Sequence, residues 1–386
     1  MDREWHQTSF WMGSQLEPEY SLPCPHGRTG HGLPKGKRLL SISKRTDIPA
    51  FYLPWLLERI EIGWVDVPNP MLTRALLKIV ADHVPDAYPG RPGRIAGRRK
   101  LDWAFSNAPW PEEKDAQVAR LTTHVSLRSQ DILGVVWWSK NYAVYLRCAD
   151  RIDRYWKDIP QHFHFTINPR RDDLQWLEPD VPPLNEAIRQ LQELARLARD
   201  RGRRSAGGDG LPITWRYDPL VFWYEGEEPK SSWDSEFFEQ MCSVCREIGI
   251  TTCVTSIVDH YKKFLRRMRI YQPGRVLREP GRQEIQQIAR SMVSIARRYG
   301  ITVQTCAESV EKGFADLDIS AASCIDRCSL VGSSRVSAAS DRRFATRTAC
   351  GCHQHIDIGD YEWQECGYAC IYCYANPNHR YYASKH

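Results

Sequence analysis

Five of the chain's thirteen cysteines fall within residues 350–373. Three of them, Cys366, Cys370 and Cys373, have the spacing C-x3-C-x2-C, with Tyr372 directly before the last. Three thiolates on one tight loop can hold three irons of a cubane four-iron four-sulfur (4Fe-4S) cluster and leave the fourth iron without a protein ligand. An open iron of that kind can take the amino and carboxylate groups of S-adenosylmethionine. Reductive cleavage of that molecule yields a 5′-deoxyadenosyl radical, so the hard chemistry belongs to the cofactor. A zinc knot or an idle group of reduced thiols is the competing reading. Zinc prefers four closed ligands, often arranged as C-x2-C pairs, and the spacing here differs.

Cys306, Cys324, Cys350 and Cys352 make a second set, a candidate iron–sulfur or zinc site with Cys328 as a substitute ligand. Their spacing alone matches no ligand pattern. Cys242 and Cys245 also read C-x2-C, but they lie in an expected amphipathic helix, where cysteine packs as a small hydrophobe. They are assigned to the core with Cys148 and Cys253. Cys24 and His26 stand in a Gly/Pro-rich arm and carry no site.

These thiols need a scaffold. Residues 1–37 are punctuated by Gly and Pro and show no periodicity. Order begins at Leu39–Ser43, an expected strand. A helix over about 53–61 ends at Gly63, and Trp64–Val67 starts a strand. The same handover recurs at Gly249 and Gly300, where glycine fits the positive φ that follows a helix. Further strands are expected at 133–138, 162–167 and 212–215, besides those that open at Ile250 and Ile301. Apolar stripes at Leu184/Ile188/Leu191/Ala195/Ala198, Phe237/Met241/Cys245/Ile248 and Ile285/Ile288/Met292/Ile295/Tyr299 mark the helices between them. Seven strands alternating with helices indicate an α/β fold, a (βα) TIM-like barrel or a doubly wound parallel sheet. The organisation that follows is an arm over 1–37, a barrel over 38–348 and a cysteine-rich segment over 349–386.

In such a fold, sites form where strands end. The expected strand ends carry Arg45 and Asp47, Asn69, Lys140 and Asn141, Asn168, Arg216 and Asp218, Asp259 and Lys262, and Cys306 with Glu308. Arg45, Lys140 and Arg216 can fix carboxylates, including that of the cofactor's methionine moiety. Asp47, Asp218 and Asp259 can hold ribose hydroxyls, neutralise those bases or bind substrate. Glu308 can hold an amino group or transfer a proton. Turn chemistry favours Asn and Asp at the same positions, so the recurrence carries more weight than any single residue.

Residues 72–128 interrupt the rhythm as an insertion. Arg91, Arg94, Arg98, Arg99 and Lys100, followed by Trp103 and Phe105, suggest a basic loop over 91–105 that tracks a nucleic-acid backbone and stacks bases; a solvated surface loop accounts for them equally. A nucleic-acid-binding protein stabilised by zinc or a cluster, without radical catalysis, is therefore the alternative function. A hydrolytic barrel lacks support, since neither a metal-type His/Asp spacing nor a nucleophile elbow is present. The net charge of +6 permits an anionic partner without demanding one. No run of eighteen apolar residues exists and the N-terminus has no signal-peptide core, which leads to the expectation of a cytoplasmic protein without a membrane span. In a reducing compartment its cysteines serve metals or packing.

Read together, Ser43–Tyr52, Val67–Pro70, Val136–Asn141, Trp215–Pro219, Ser256–Lys262, Cys306–Glu308, Cys324–Asp326 and Cys350–Asn376 resemble domain of unknown function family 1848. The C-x3-C-x-aromatic-C pattern resembles the signature of radical S-adenosylmethionine (radical SAM) enzymes. The resemblance implies a radical-SAM-like barrel, circularly permuted because the cluster loop closes the chain and does not follow the first strand. It also implies that Cys306, Cys324, Cys350 and Cys352 belong to the family pattern. Such an enzyme needs a reducing electron donor of the flavodoxin or ferredoxin kind. His355 and the basic stretch at 91–100 depart from the family pattern.

Overall fold

The computed structural model describes residues 37–85, 94–107, 112–206, 210–306, 319–331 and 350–375. In chain order the strands are β1 (Arg38–Ile42), β2 (Trp64–Pro68), β3 (Thr122–Ser126), β4 (Ile132–Ser139), β5 (Gln161–Thr166), β6 (Ile213–Leu220), β7 (Phe222–Glu225), β8 (Glu228–Ser231), β9 (Thr252–Ile257), β10 (Arg275–Leu277), β11 (Thr302–Thr305), β12 (Ser320–Ala321) and β13 (Ile356–Asp357). The helices are α1 (Ile48–Phe51), α2 (Leu53–Ile62), α3 (Thr73–His83), α4 (Arg94–Asn107), α5 (Glu112–Leu121), α6 (Ala143–Trp156), α7 (Leu184–Asp200), α8 (Ser235–Glu247), α9 (Lys262–Tyr271), α10 (Arg282–Arg298) and α11 (Arg327–Val331).

Eight strands form one sheet in the order β13-β1-β4-β5-β6-β9-β11-β12, and every pair of neighbours is parallel. Parallel neighbours require long crossovers, and the periodic stretches provide them: α6, α7, α8 and α10 each precede the next strand of this sheet. Val135, Val136 and Trp137 are all buried at successive positions of β4. Adjacent residues on a strand point to opposite faces, so both faces of the sheet are covered. On the helix side, Ala187, Leu191, Leu194, Ala195 and Ala198 of α7 are buried. Cys242 and Cys245 of α8 are also buried, in line with the packing role expected of them, and burial pushes the Cys242 thiol up to about 12. Gly63, Gly249 and Gly300 take positive φ at the expected handovers, 91°, 73° and 69°.

The expected barrel is thus an α/β fold built on an eight-stranded parallel sheet, with β12 and β13 at its edges. These two strands are only two residues long and carry no readable period. Near them, the His353 N–H donates to the Ile325 carbonyl at 2.9 Å, and the Ser323 hydroxyl donates to the Gly351 carbonyl at 2.9 Å. One expected strand falls elsewhere. Among the described residues β2 pairs only with β3, in a separate two-stranded sheet, because a short apolar alternation does not specify its partner. β10, β7 and β8 form a third, antiparallel sheet.

Among the described residues, Asp66–His124 group into one unit and the rest into a second. The smaller unit corrects part of the reading of residues 91–105. Arg94 to Lys100 open helix α4 and do not form a loop. Arg98 is 0% exposed; it donates to the Asp66 carbonyl at 2.6 Å and pairs with Asp102 at 3.2 Å. A guanidinium committed to internal partners does not contact a phosphate backbone. Leu101, Ala104 and Phe105 are buried, so Phe105, one of the two aromatics expected to stack bases, serves a core, while Trp103 is half-buried. Arg91 lies outside the described residues.

The last strand of the sheet lies beside the first, with Leu40 opposite Ile356 and Ser41 opposite Asp357. Gly359 lets the two segments close on each other: a Cβ built there would stand 2.1 Å from Ser43 Oγ and 2.8 Å from Ser43 Cβ. Ser43 is buried and cannot move aside, because its hydroxyl is bonded to Asp357. Gly359→Ala is expected to lower stability by about 1–3 kcal/mol through overpacking. Urea unfolding measures this, and an unchanged midpoint would show that this joint is not tight.

Candidate metal and cofactor site

In an all-parallel sheet the carboxyl ends of the strands share one edge, where sites form. The terminal cysteine loop is held at that edge by named donors. Tyr52 OH donates to the Glu365 carbonyl at 2.8 Å, and the Ile371 N–H donates to the Leu177 carbonyl at 3.0 Å. Arg267, buried in α9, donates to the carbonyls of Ile371 and Cys373. Tyr374 OH donates to the Lys44 carbonyl at 2.9 Å. Ala369 takes a positive φ of 51°, which turns the loop sharply between Cys366 and Cys370. Cys366, Cys370 and Cys373 then pack in one cluster with Ala50, Phe51, Val181, Tyr368 and Tyr372. Burial pushes the Cys370 thiol well above the ordinary range. A metal would have to displace that proton and supply the positive charge that keeps the thiolate.

Beside the loop lies a carboxylate that sequence reasoning missed. Glu178 receives Lys140 Nζ at 2.7 Å, Asn168 Nδ2 at 2.8 Å, and close hydrogen bonds from Arg170 and the Tyr372 hydroxyl. Burial works to raise its pKa, but the charges of Lys140 and Arg170 outweigh that and hold the carboxyl well below its usual range. Asn168, Arg170, Leu174, Leu177, Glu178, Tyr217 and Tyr372 line a small cleft here. Glu178 stands before Pro179 in a polar, Pro-rich stretch that reads as a loop. The buried residues Leu174, Leu177 and Val181 around it were the only available signal.

Asp47, Lys140 and Asn141 are brought together, as expected of strand ends, but for positioning. The Asp47 carboxylate accepts the Ser139 hydroxyl at 2.8 Å, the Lys140 N–H at 2.9 Å and the Ala50 N–H at 3.1 Å, so it caps α1 and fixes the end of β4. Burial pushes its carboxyl up to about 7. Asn141 Oδ1 accepts the Ala143 N–H at 3.0 Å at the start of α6. Asp357 was quoted in the terminal motif without a role; it accepts hydrogen bonds from Ser41 Oγ at 2.9 Å, Lys44 N–H at 2.7 Å, Gly359 N–H at 3.0 Å and Ser43 Oγ. Arg45 donates to the Gly359 carbonyl at 3.0 Å.

Arg216 pairs with Asp218 at 2.7 Å, and Asp218 also takes the Ser256 hydroxyl. The other arm of Arg216 donates to Cys324 Sγ at 3.1 Å. Arg45, Lys140 and Arg216, the bases expected to grip a cofactor carboxylate, are thus each engaged by a carbonyl or carboxylate of the protein. A bound carboxylate would share them with those groups. Asp259 accepts the Tyr261 hydroxyl at 2.9 Å, and Lys262 is exposed at the start of α9. Asn69 accepts the Met71 N–H at 3.0 Å in a turn ahead of α3, after the strand that left the main sheet. Glu308 lies outside the described residues.

The second thiol set converges. Cys324 and Cys352 are buried, with Cys306 and Cys350 packed against them. Asp326, Cys328 and His353 also bring three ligand atoms within 4.8 Å of one another. Asp326 accepts the Cys328 and Ser329 N–H groups, and His353 Nδ1 accepts the Arg327 N–H at 3.2 Å, so these groups serve the first turn of α11. The donor set of the terminal loop, three thiols and no carboxylate or imidazole among them, fits an iron–sulfur cluster.

Glu178→Gln leaves Lys140 and Arg170 without their shared counter-charge and is expected to destabilise the fold by about 3–5 kcal/mol at pH 7. The folded pKa of Glu178 is depressed. Its contribution is therefore present above the ordinary glutamate range and is lost as pH falls well below it. Urea unfolding of both proteins from pH 7 downward tests this, and a gap that vanishes already near neutrality would contradict it.

The family described as Domain of unknown function (DUF1848) matches residues 39–84 and 111–375. No curated protein matches. A crystal structure of D-hydantoinase superposes with a TM-score of 0.25 at 9% identity, covering 50% of this chain and 38% of that chain, too loose a likeness to carry an argument. Among the described residues, no helix is long and apolar enough to cross a membrane. With the family matched from the first sheet strand to the terminal cysteine loop, the chain belongs to the DUF1848 family.

Proposed function

We propose that the protein is an iron–sulfur enzyme that reductively cleaves S-adenosylmethionine to begin radical chemistry. One observation carries the reading: the C-x3-C-x2-C thiols pack in a single cluster on a loop held at the carboxyl edge of eight parallel strands. The position of β13 supports it. β13 lies beside β1, and the cysteine loop follows β13, so in spatial order the loop follows the strand that precedes β1. That is the arrangement expected of a permuted TIM-like radical-SAM barrel.

Cys366, Cys370 and Cys373 would hold a 4Fe-4S cluster, whose open iron would supply one-electron reduction of the adenosyl cofactor. The protein's own groups orient and shield. Tyr372 fixes the loop through Glu178, and Arg267 fixes it from α9. Lys140, Arg170, Arg216 and Arg45 surround the edge with positive charge that would favour a cofactor carboxylate. Asp218, with Ser256 beside it, would orient hydroxyl groups. Reduction would come from a donor of the flavodoxin or ferredoxin kind.

Anaerobic protein given dithionite and S-adenosylmethionine is expected to release 5′-deoxyadenosine and methionine, and Cys370→Ala to lose the reaction by at least about 100-fold. Chromatography of the quenched mixture measures both. Intact cofactor with iron-loaded protein would contradict the proposal.

A further inference from the structure

We infer that Cys306, Cys324, Cys350 and Cys352 form a four-thiolate metal centre, separate from the terminal loop, that clamps the ends of β11 and β12 to the segment leading into β13. The inference does not rest on radical chemistry. Its ligands come from three stretches of chain, each fixed by its backbone. The Cys306 N–H donates to the Thr255 carbonyl at 2.9 Å, extending the β9–β11 ladder by one residue. The Ala322 N–H donates to the Thr305 carbonyl at 2.7 Å, which sets the approach to Cys324. His164 bonds the Cys324 carbonyl through Nε2 at 2.6 Å. Cys350 and Cys352 flank Gly351, whose carbonyl takes the Ser323 hydroxyl, and the His353 N–H reaches Ile325.

Two of the sulfurs already meet: Cys324 Sγ lies 3.4 Å from Cys306 Sγ, and Cys350 and Cys352 pack in the same cluster. Two thiolates bound tetrahedrally to one ion at zinc–sulfur distance stand about 3.8 Å apart, so the first pair needs little adjustment. Cysteines that only pack look different here. Cys242 and Cys245 share one face of α8 within a single element, whereas these four thiols are brought together from three separate stretches of chain, and Cys306 and Cys350 remain partly accessible.

The charge balance points the same way. Four thiolates and a divalent ion carry a net charge of −2. Arg216, 4% exposed, donates to Cys324 Sγ at 3.1 Å and supplies a fixed positive charge beside the sulfurs. A set of four thiolates selects zinc or iron–sulfur centres over the hard cations. Through Arg216 the centre also reaches Asp218, so the metal would hold in place a base at the carboxyl edge.

The test begins with the Cys366→Ala, Cys370→Ala, Cys373→Ala triple variant, purified without oxygen and assayed for zinc, iron and sulfide. It is expected to retain one metal centre per chain, and 4-hydroxymercuribenzoate is expected to release that metal as four thiols react. Adding Cys324→Ser and Cys352→Ser should abolish it, while those two changes alone leave the terminal centre loaded. Zinc without sulfide would identify a single ion, and iron with sulfide a cluster. A folded triple variant devoid of metal would overturn the inference, as would a Cys306–Cys324 disulfide found by thiol counting in unreduced protein. If the triple variant does not fold, wild-type titration decides: metal release that involves only the three terminal thiols refutes the second centre. Failure of the radical reading would appear instead as a loaded protein that leaves S-adenosylmethionine intact.

Discussion

The carboxylate of Asp357 joins the last strand of the chain to the first, and the placement of the cysteine loop depends on that joint. Ser41 and Asp357 are separated by 316 residues in sequence, yet their side chains are bonded at 2.9 Å. For an unstructured chain, the length-dependent part of closing such a loop costs about 5 kcal/mol. The strands between them shorten the effective loop by adding to the sheet in sequence order, β4, β5, β6, β9, then β11. Hydrogen bonds to the Asp357 carboxylate, each contributing about 1.5–3 kcal/mol for a charged acceptor, offset the remainder. β13 has only two residues and could not hold this position by its ladder alone.

From that joint the site is built by buried charge. Three carboxylates, Asp47, Glu178 and Asp357, sit at the strand ends, each surrounded by donors from more than one segment. Desolvating a carboxylate is costly unless its oxygens are satisfied, and here the satisfying groups are also the ones that position the site. Glu178 ties β4 through Lys140 to the cysteine loop through Tyr372. Asp47 ties the start of α1 to the end of β4. Arg216 adds a guanidinium between Asp218 and the second group of thiols. The edge is therefore a connected polar network in which a change at one carboxylate is felt by loops from several strands.

Much of this could be read in the residues. β4, β5, β6, β9, α7, α8 and α10 follow from apolar runs and 3.6-residue stripes, and the Gly63, Gly249 and Gly300 handovers stand where the sequence placed them. The clustering of Cys366, Cys370 and Cys373 followed from spacing, because their ligand geometry is local. What escaped depends on partners distant in sequence. β2 has the alternation of a sheet strand, but nothing in Trp64–Pro68 says that it pairs with β3. β12 and β13 are too short for a period. Arg98 looked like a surface cation in a basic run, and only the fold shows it turned inward to Asp66 and Asp102. Glu178 and Asp357 are single acids in loop-like sequence whose donors lie up to 316 residues away.

The most direct test of the account is electron paramagnetic resonance of anaerobically purified, dithionite-reduced protein, recorded before and after adding S-adenosylmethionine. An open-iron cubane on Cys366, Cys370 and Cys373 predicts about four irons per chain assignable to that loop. It also predicts a reduced-cluster signal that changes when the cofactor binds. A terminal loop that holds zinc, or a cluster signal indifferent to S-adenosylmethionine, would contradict it.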